Sequence, residues 1–219
     1  MQGKKKNFLK IVILGDSGVG KTTLLQQYVN KKVNAHSKPT IGADFSKKEI
    51  TIDNTIVTLQ IWDTAGQEKF QSLGYAFYRG ADCCALVYDI TNLKSFEDLT
   101  RWRDGFIEHA APTDPNKFPF VLIGNKVDKE PERKVKSTDA QAWCKENGGM
   151  PYYETSAKEN VAVEDAFIEM AKMAIKRESE NQIFSLPDSI GGAGGAIKMS
   201  LKDDQRRNKT QVQKKMCDC

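Results

Sequence analysis

The run Gly15-Asp16-Ser17-Gly18-Val19-Gly20-Lys21-Thr22 limits what this chain can fold into more than any other feature. It follows an apolar, β-branched stretch, Leu9 to Leu14, and opens an amphipathic helical stretch, Lys21 to Val29. Strand, glycine-rich loop and helix in that order form a phosphate cradle. The glycines let successive backbone N–H groups turn inward around phosphate oxygens, and the helix N-terminus adds a favourable dipole. Lys21 supplies a positive charge and Thr22 a hydroxyl suited to Mg²⁺, with Thr23 beside it. A glycine-rich turn with a chance Lys-Thr is the plain alternative, and the loop alone does not distinguish ATP from GTP.

The rest of the chain fits an α/β domain around that loop. Short apolar runs recur at Ile56 to Trp62, Cys83 to Tyr88, Phe120 to Ile123 and Pro151 to Thr155, each followed by a helical or loop-like segment. That alternation predicts a mostly parallel six-stranded sheet with helices on both faces. Between Glu49 and Ile61, Ile50 and Ile52, then Val57, Leu59 and Ile61, alternate with polar residues around Asp53 and Asn54, so one antiparallel edge strand is expected there. Val163, Ala166, Phe167, Met170, Ala171, Ala174 and Ile175 keep helical spacing and predict a closing helix.

At 219 residues, one such domain of residues 1 to 177 leaves a tail of 178 to 219. The tail has few large apolar side chains and four glycines between 191 and 195, so it reads as a flexible tether. Residues 1 to 175 carry 24 basic against 23 acidic residues, while 176 to 219 carry 9 against 6. A near-neutral domain argues against nucleic acid as a partner. No apolar run approaches the roughly 20 residues of a membrane-spanning helix, and Ile11 to Leu14 is too short for a signal-peptide core. Cys83, Cys84, Cys144, Cys217 and Cys219 do not form a disulfide framework, and a reducing cytosol is expected.

Three further motifs follow predicted strands, at the sheet edge where α/β proteins hold ligands. Asp63-Thr64-Ala65-Gly66 ends the second run: Asp63 can hold Mg²⁺ through water, and Gly66 can bring its N–H to a γ-phosphate. Gln67 is suited to orienting an attacking water. Asn125-Lys126-Val127-Asp128 places a carboxylate, Asp128, that can accept two hydrogen bonds from guanine, a donor pair adenine lacks. Ser156, Ala157 and Lys158 complete the base pocket, with the Ala157 N–H expected to meet the guanine carbonyl. Thr40, in the irregular stretch before the hairpin, offers a hydroxyl to Mg²⁺ when a γ-phosphate is present, and so senses the nucleotide state. Asn34 joins the nucleotide-binding set. Lys21, Thr40 and Gln67 form the expected catalytic set, and Thr22, Thr40 and Asp63 the metal set. Each short string taken alone is an ordinary turn; their order along the chain gives them weight.

With these residues in place, the sequence resembles the Rab family of Ras-like small GTPases from about Lys6 to Arg177. The resemblance is carried by I-G-A-D-F (41 to 45), W-D-T-A-G-Q-E (62 to 68), F-Y-R-G-A-D (77 to 82) and Y-D-I-T (88 to 91). Within that family K-F-Q-S-L-G, G-A-D-C-C and the W-R-D at 102 to 104 are most similar to the late-endosome and lysosome branch. The resemblance implies slow GTP hydrolysis, an exchange factor, a GTPase-activating protein, an escort protein, a dissociation inhibitor that carries a cytosolic GDP form, and effectors recruited by a membrane-attached GTP form. It also implies a monomer acting on the cytoplasmic face of late endosomes, lysosomes or phagosomes, with Phe45, Trp62 and Phe77 as an aromatic triad read by effectors. Val33 stands where relatives carry an aromatic against the guanine ring, which predicts weaker nucleotide holding and faster exchange, and Ser37 replaces an aromatic usual in the first switch. Ser17 replaces a third glycine, as is usual for Rabs.

The ending Cys217-Asp218-Cys219 is not a C-a-a-X box and is similar to the Cys-x-Cys ending that receives two geranylgeranyl groups. Two chains, aided by Lys198, Lys202, Arg206, Arg207, Lys209, Lys214 and Lys215, predict stable membrane attachment. A nucleotide-binding scaffold that does not hydrolyse is the alternative to a GTPase; Gln67 and Thr40 argue against it. Asn125 and Asp128 argue against an ATPase or kinase.

Overall fold

A computed structural model of the chain describes residues 8–33, 39–66 and 71–184. Strand β1 (Phe8–Leu14) leads through the glycine-rich loop into α1 (Lys21–Asn30). The hairpin strands β2 (Ala43–Ile52) and β3 (Thr55–Thr64) follow, then α2 (Gln71–Tyr78), β4 (Cys83–Asp89), α3 (Leu93–Glu97) and α4 (Leu99–Ala110). β5 (Phe120–Asn125), α5 (Ser137–Glu146), β6 (Tyr152–Thr155) and α6 (Val163–Phe184) complete it. The sheet order is β2-β3-β1-β4-β5-β6, and only the β2–β3 pair is antiparallel. Helix α6 continues seven residues beyond Arg177, and Ser179 Oγ bonds back to the Ile175 and Lys176 carbonyls.

The apolar strands are continuous because both sheet faces are covered. Ile11, Ile13, Cys83, Ala85 and Val87 point to one core, against Leu24 and Tyr28 of α1 and Phe167 and Met170 of α6. Val12, Leu14, Cys84, Leu86 and Tyr88 point to the other, against Trp102 and Phe106 of α4 and Ala140 and Cys144 of α5. Adjacent Cys83 and Cys84 therefore face opposite layers as free, buried thiols, and burial pushes both pKa values up.

The hairpin turn confirms the Asp53-Asn54 reading: both residues take left-handed backbone (φ 46° and 61°), the geometry that matches the twist of a two-residue hairpin. β2 begins six residues earlier than Glu49, however, and runs down the sheet edge through Phe45. Its first half carries Asp44, Ser46, Lys47 and Lys48, so that half shows no apolar alternation. No helix among the described residues is long and apolar enough to cross a membrane.

Candidate nucleotide and metal site

The described candidate segments that follow β1, β3, β5 and β6 lie at the carboxyl edge of the sheet, with β4 between β1 and β5. A cleft of about 340 Å³ opens there, walled by Ser17, Gly18, Gly20, Lys21, Thr22, Thr23, Pro39, Thr40, Thr64, Gly66 and Lys126. The loop turns inward because Gly18 and Gly20 occupy left-handed conformations (φ 80° and 100°), and Gly20 caps the start of α1. A Cβ at Gly20 would overlap the Asn125 side-chain amide, so the loop lies directly on β5. Lys21 is 5% exposed. Its ammonium reaches back to the carbonyls of Gly15 (2.7 Å) and Asp16 (2.8 Å), leaving its third proton for a ligand. Burial lowers its pKa to about 8, with Asp63 and Asp16 pulling it the other way.

Thr22, Thr40 and Asp63 meet although they come from α1, the segment before β2 and the end of β3. Thr22 Oγ1 donates to Asp63 Oδ2 at 2.5 Å and lies 2.9 Å from Thr40 Oγ1. Thr40 Oγ1 lies 3.4 Å from the same carboxylate oxygen. Asp63 is fully buried, and its Oδ1 has no hydrogen-bond partner among the described residues. Burial raises its pKa, against Thr22 and Lys21. A buried carboxylate with an unused oxygen and two hydroxyls alongside suits a hard divalent cation, which would satisfy that oxygen.

The two base-side loops are braced as one unit. Asn125, 1% exposed, donates to the Val19 carbonyl at 2.9 Å. Its Oδ1 accepts from Thr155 Oγ1 (3.1 Å) and Ala157 N (3.2 Å). The Ala157 N–H is thus committed to Asn125 and buried, which differs from the expectation that it points at a base. Lys126 bonds the Gly18 carbonyl (2.7 Å) and pairs with Asp89 (2.7 Å). Ser156 Oγ donates to Asp128 Oδ1 at 2.6 Å and accepts from Glu159 N, leaving the other Asp128 oxygen for a ligand. Lys158 is exposed beside it.

Asp16 is placed differently from what its position predicts. The Asp16 side chain turns away from the cleft and accepts from Trp102 Nε1, so this residue offers the cleft only its backbone. Val33 is half-buried. Asn34, Ser37, Gln67, Cys217 and Cys219 lie outside the described residues. On the far side of β3, Trp62 packs on Phe45 (ring centroids 4.9 Å) and Phe77 (4.8 Å), with Phe45 39% exposed at the sheet edge. Sequence reasoning missed Trp102, Thr155 and Asp89. Thr155 adjoins a recognised motif; Trp102 stands in the W-R-D string at 102 to 104, but nothing local ties it to Asp16, 86 positions away.

A glycine-rich loop at a helix N-terminus, wired to a metal-competent carboxylate and to the braced Asn125 and Ser156 loops, defines the class as a P-loop nucleotide-binding domain. Comparison with known proteins agrees. The Ras family model matches residues 10–176. The Ras-related protein Rab7 of Cenchrus ciliaris is 55% identical over 197 residues, spanning 89% of this chain and 95% of that protein. Ras-related protein Rab-7a of Dictyostelium discoideum is 57% identical over 190 residues (87% and 93%), and Ras-related protein Rab7 of Drosophila melanogaster 56% over 191 (87% and 92%). The chain belongs to the Ras family and is a Rab7-like small GTPase, a GTP-hydrolysing enzyme of vesicle trafficking.

Proposed function

We propose that this chain is a Mg²⁺-dependent guanine-nucleotide switch of late-endosomal, lysosomal or phagosomal membranes, with its residues in the following roles. The observation that carries the reading is the meeting of Thr22 and Thr40 at Asp63 Oδ2, while the other oxygen of that buried carboxylate, Oδ1, has no partner among the described residues. Thr40 belongs to a segment that is otherwise tied to the domain at this edge by the Ala65 N–H bond to Gly42. A γ-phosphate adds a second reason for it to stay, and its loss on hydrolysis removes one, which makes the segment nucleotide-sensitive.

Thr22, Thr40 and, through water, Asp63 would hold Mg²⁺, which would supply neutralisation of phosphate charge. Lys21 holds phosphate oxygens, and the loop's N–H groups point at developing negative charge. Gln67 orients the attacking water. Asp128, fixed by Ser156, accepts the two guanine donors, while Asn125 keeps the phosphate loop and the Ala157 loop in register. Hydrolysis is slow without an activating protein that supplies the missing transition-state charge.

Beyond the end of α6, the remaining residues act as a tether. Geranylgeranyl groups on Cys217 and Cys219, with the basic tail residues, hold the GTP form on the membrane, while a dissociation inhibitor and escort protein handle the soluble form. The Phe45-Trp62-Phe77 patch meets effectors: its exposed edge, adjoining the segment that carries Thr40, supports that use. The test is imaging of an N-terminally tagged full chain. The reading predicts lysosomal and late-endosomal membranes for wild type and a diffuse signal for Cys217→Ser/Cys219→Ser; wild type confined to other membranes would contradict it.

A further inference from the structure

The residue that sits second in the phosphate loop is bound from three directions. Its carbonyl accepts from Lys21 Nζ at 2.8 Å. Its backbone abuts Gly66 so closely that a Cβ at Gly66 would overlap the Asp16 carbonyl group and Ser17 N. Its carboxylate points out of the cleft, where Trp102 Nε1 of α4 donates to Oδ1 at 2.7 Å. Arg101 Nη2 stands 3.4 Å from the same oxygen and 3.5 Å from Asp98 Oδ2, and Lys94 holds Asp98 at 2.7 Å. Trp102 is 3% exposed, and an indole has one donor only, so this bond uses all of its polar capacity.

The other arm of the loop is held by Asn125 at the Val19 carbonyl and by Lys126 at the Gly18 carbonyl. Between the two anchors Ser17 is exposed, and Gly18 beside it is exposed with its carbonyl taken by Lys126. A row of N–H donors binds phosphate well only if it is held in place before the ligand arrives. We propose that Trp102 is a positioning residue: its hydrogen bond to Asp16 anchors the outer arm of the phosphate loop and sets how fast nucleotide leaves. This rests on reading Gly15 to Thr22 as the phosphate loop. α4 also carries His109, stacked on Tyr75 of α2 at 3.5 Å, and Phe106, 5.4 Å from Tyr78. The helix that anchors the loop is therefore also the one on which α2 rests.

The test is release of fluorescent GDP in Mg²⁺ from the full chain carrying Trp102→Phe, Asp16→Ala, Asp16→Asn or the Asp16→Ala/Trp102→Phe pair. Asparagine keeps an acceptor oxygen for the indole and removes the charge. A hydrogen bond to a charged acceptor predicts release faster by about tenfold in each of the first two, a double variant no faster than the faster single, and Asp16→Asn within about threefold of wild type. Equal rates for Asp16→Ala and Asp16→Asn would assign the effect to charge and overturn the tether. So would additive effects in the double variant, or wild-type rates in Asp16→Ala. If Trp102→Phe fails to fold, the Asp16→Ala and Asp16→Asn comparison decides alone. A wild-type chain that takes up no guanine nucleotide would remove the loop reading itself.

Discussion

Replacing Asn125 by Asp tests how the phosphate loop is fixed to the base pocket, because the change alters one atom and almost no volume. The buried Asn125 amide donates to Val19 O at 2.9 Å, while its oxygen accepts from Thr155 Oγ1 and Ala157 N. In Asn125→Asp both bonds to Oδ1 survive, but the donor facing Val19 O becomes a second acceptor. The loop has no room to adjust, since Gly20 lies against that same atom. Removing the donor and leaving a buried carbonyl unpaired costs about 1–3 kcal/mol. If the nucleotide-bound state carries that cost, GDP leaves roughly 5-fold to 140-fold faster, at about 1.4 kcal/mol per factor of ten. Stopped-flow release of fluorescent GDP in Mg²⁺ reads the rate, and urea unfolding shows how much of the cost falls on the fold. Thr155→Val, which deletes one weaker bond to the other atom, is the companion with an expected change of about fivefold. Release from Asn125→Asp at the wild-type rate would refute the claim that this amide holds the loop.

Gly124→Ala should destabilise the fold by about 1–3 kcal/mol, because its methyl would sit 2.7 Å from Tyr88 Oη and 3.1 Å from Tyr152 Oη. Adding Tyr88→Phe, which removes the nearer oxygen, should recover part of that loss in urea titrations; no recovery would locate the strain elsewhere. Burial works to raise the Asp89 carboxyl, but Lys126 and the N–H and O–H of Thr91 outweigh it and hold the group below its usual value. Its stabilising contribution is therefore complete above the ordinary aspartate range and is lost as pH falls, so Asp89→Asn should be less stable at neutrality and show a flatter stability profile between about pH 5 and 3. Matching slopes for the two proteins would contradict that. Single Cys217→Ser or Cys219→Ser chains should co-sediment with vesicles less than wild type, and the double variant least; equal sedimentation of all four would separate membrane binding from the cysteines.

The features legible in sequence are those with a local physical signature. The apolar strands announce themselves by their runs, the hairpin by alternation around Asp53 and Asn54, and the phosphate loop by glycines between a strand and a helix. The first half of β2 was not legible because an edge strand with solvent on its polar side needs no apolar period. The extra turns of α6 carry Glu178, Ser179, Glu180, Asn181 and Gln182, which pattern cannot distinguish from a polar tail. The candidate site residues that announce themselves are those proposed to touch ligand. Those that touch other site residues, such as Trp102 on Asp16, Asp89 on Lys126 and Thr155 on Asn125, are brought together by sheet order and have no spacing to betray them. Ala157 shows the converse, a motif residue whose N–H the fold spends on bracing.

The central claim, a guanine-specific site that depends on Mg²⁺, is tested most directly by release of fluorescent GDP from the purified chain. Release is followed in Mg²⁺ and in excess EDTA, with unlabelled GTP or ATP as competitor. The arrangement of Thr22, Thr40, Asp63 and Asp128 predicts slow release in Mg²⁺, faster release in EDTA, and displacement by GTP alone. Release indifferent to EDTA, or displacement by ATP as effective as by GTP, would contradict it.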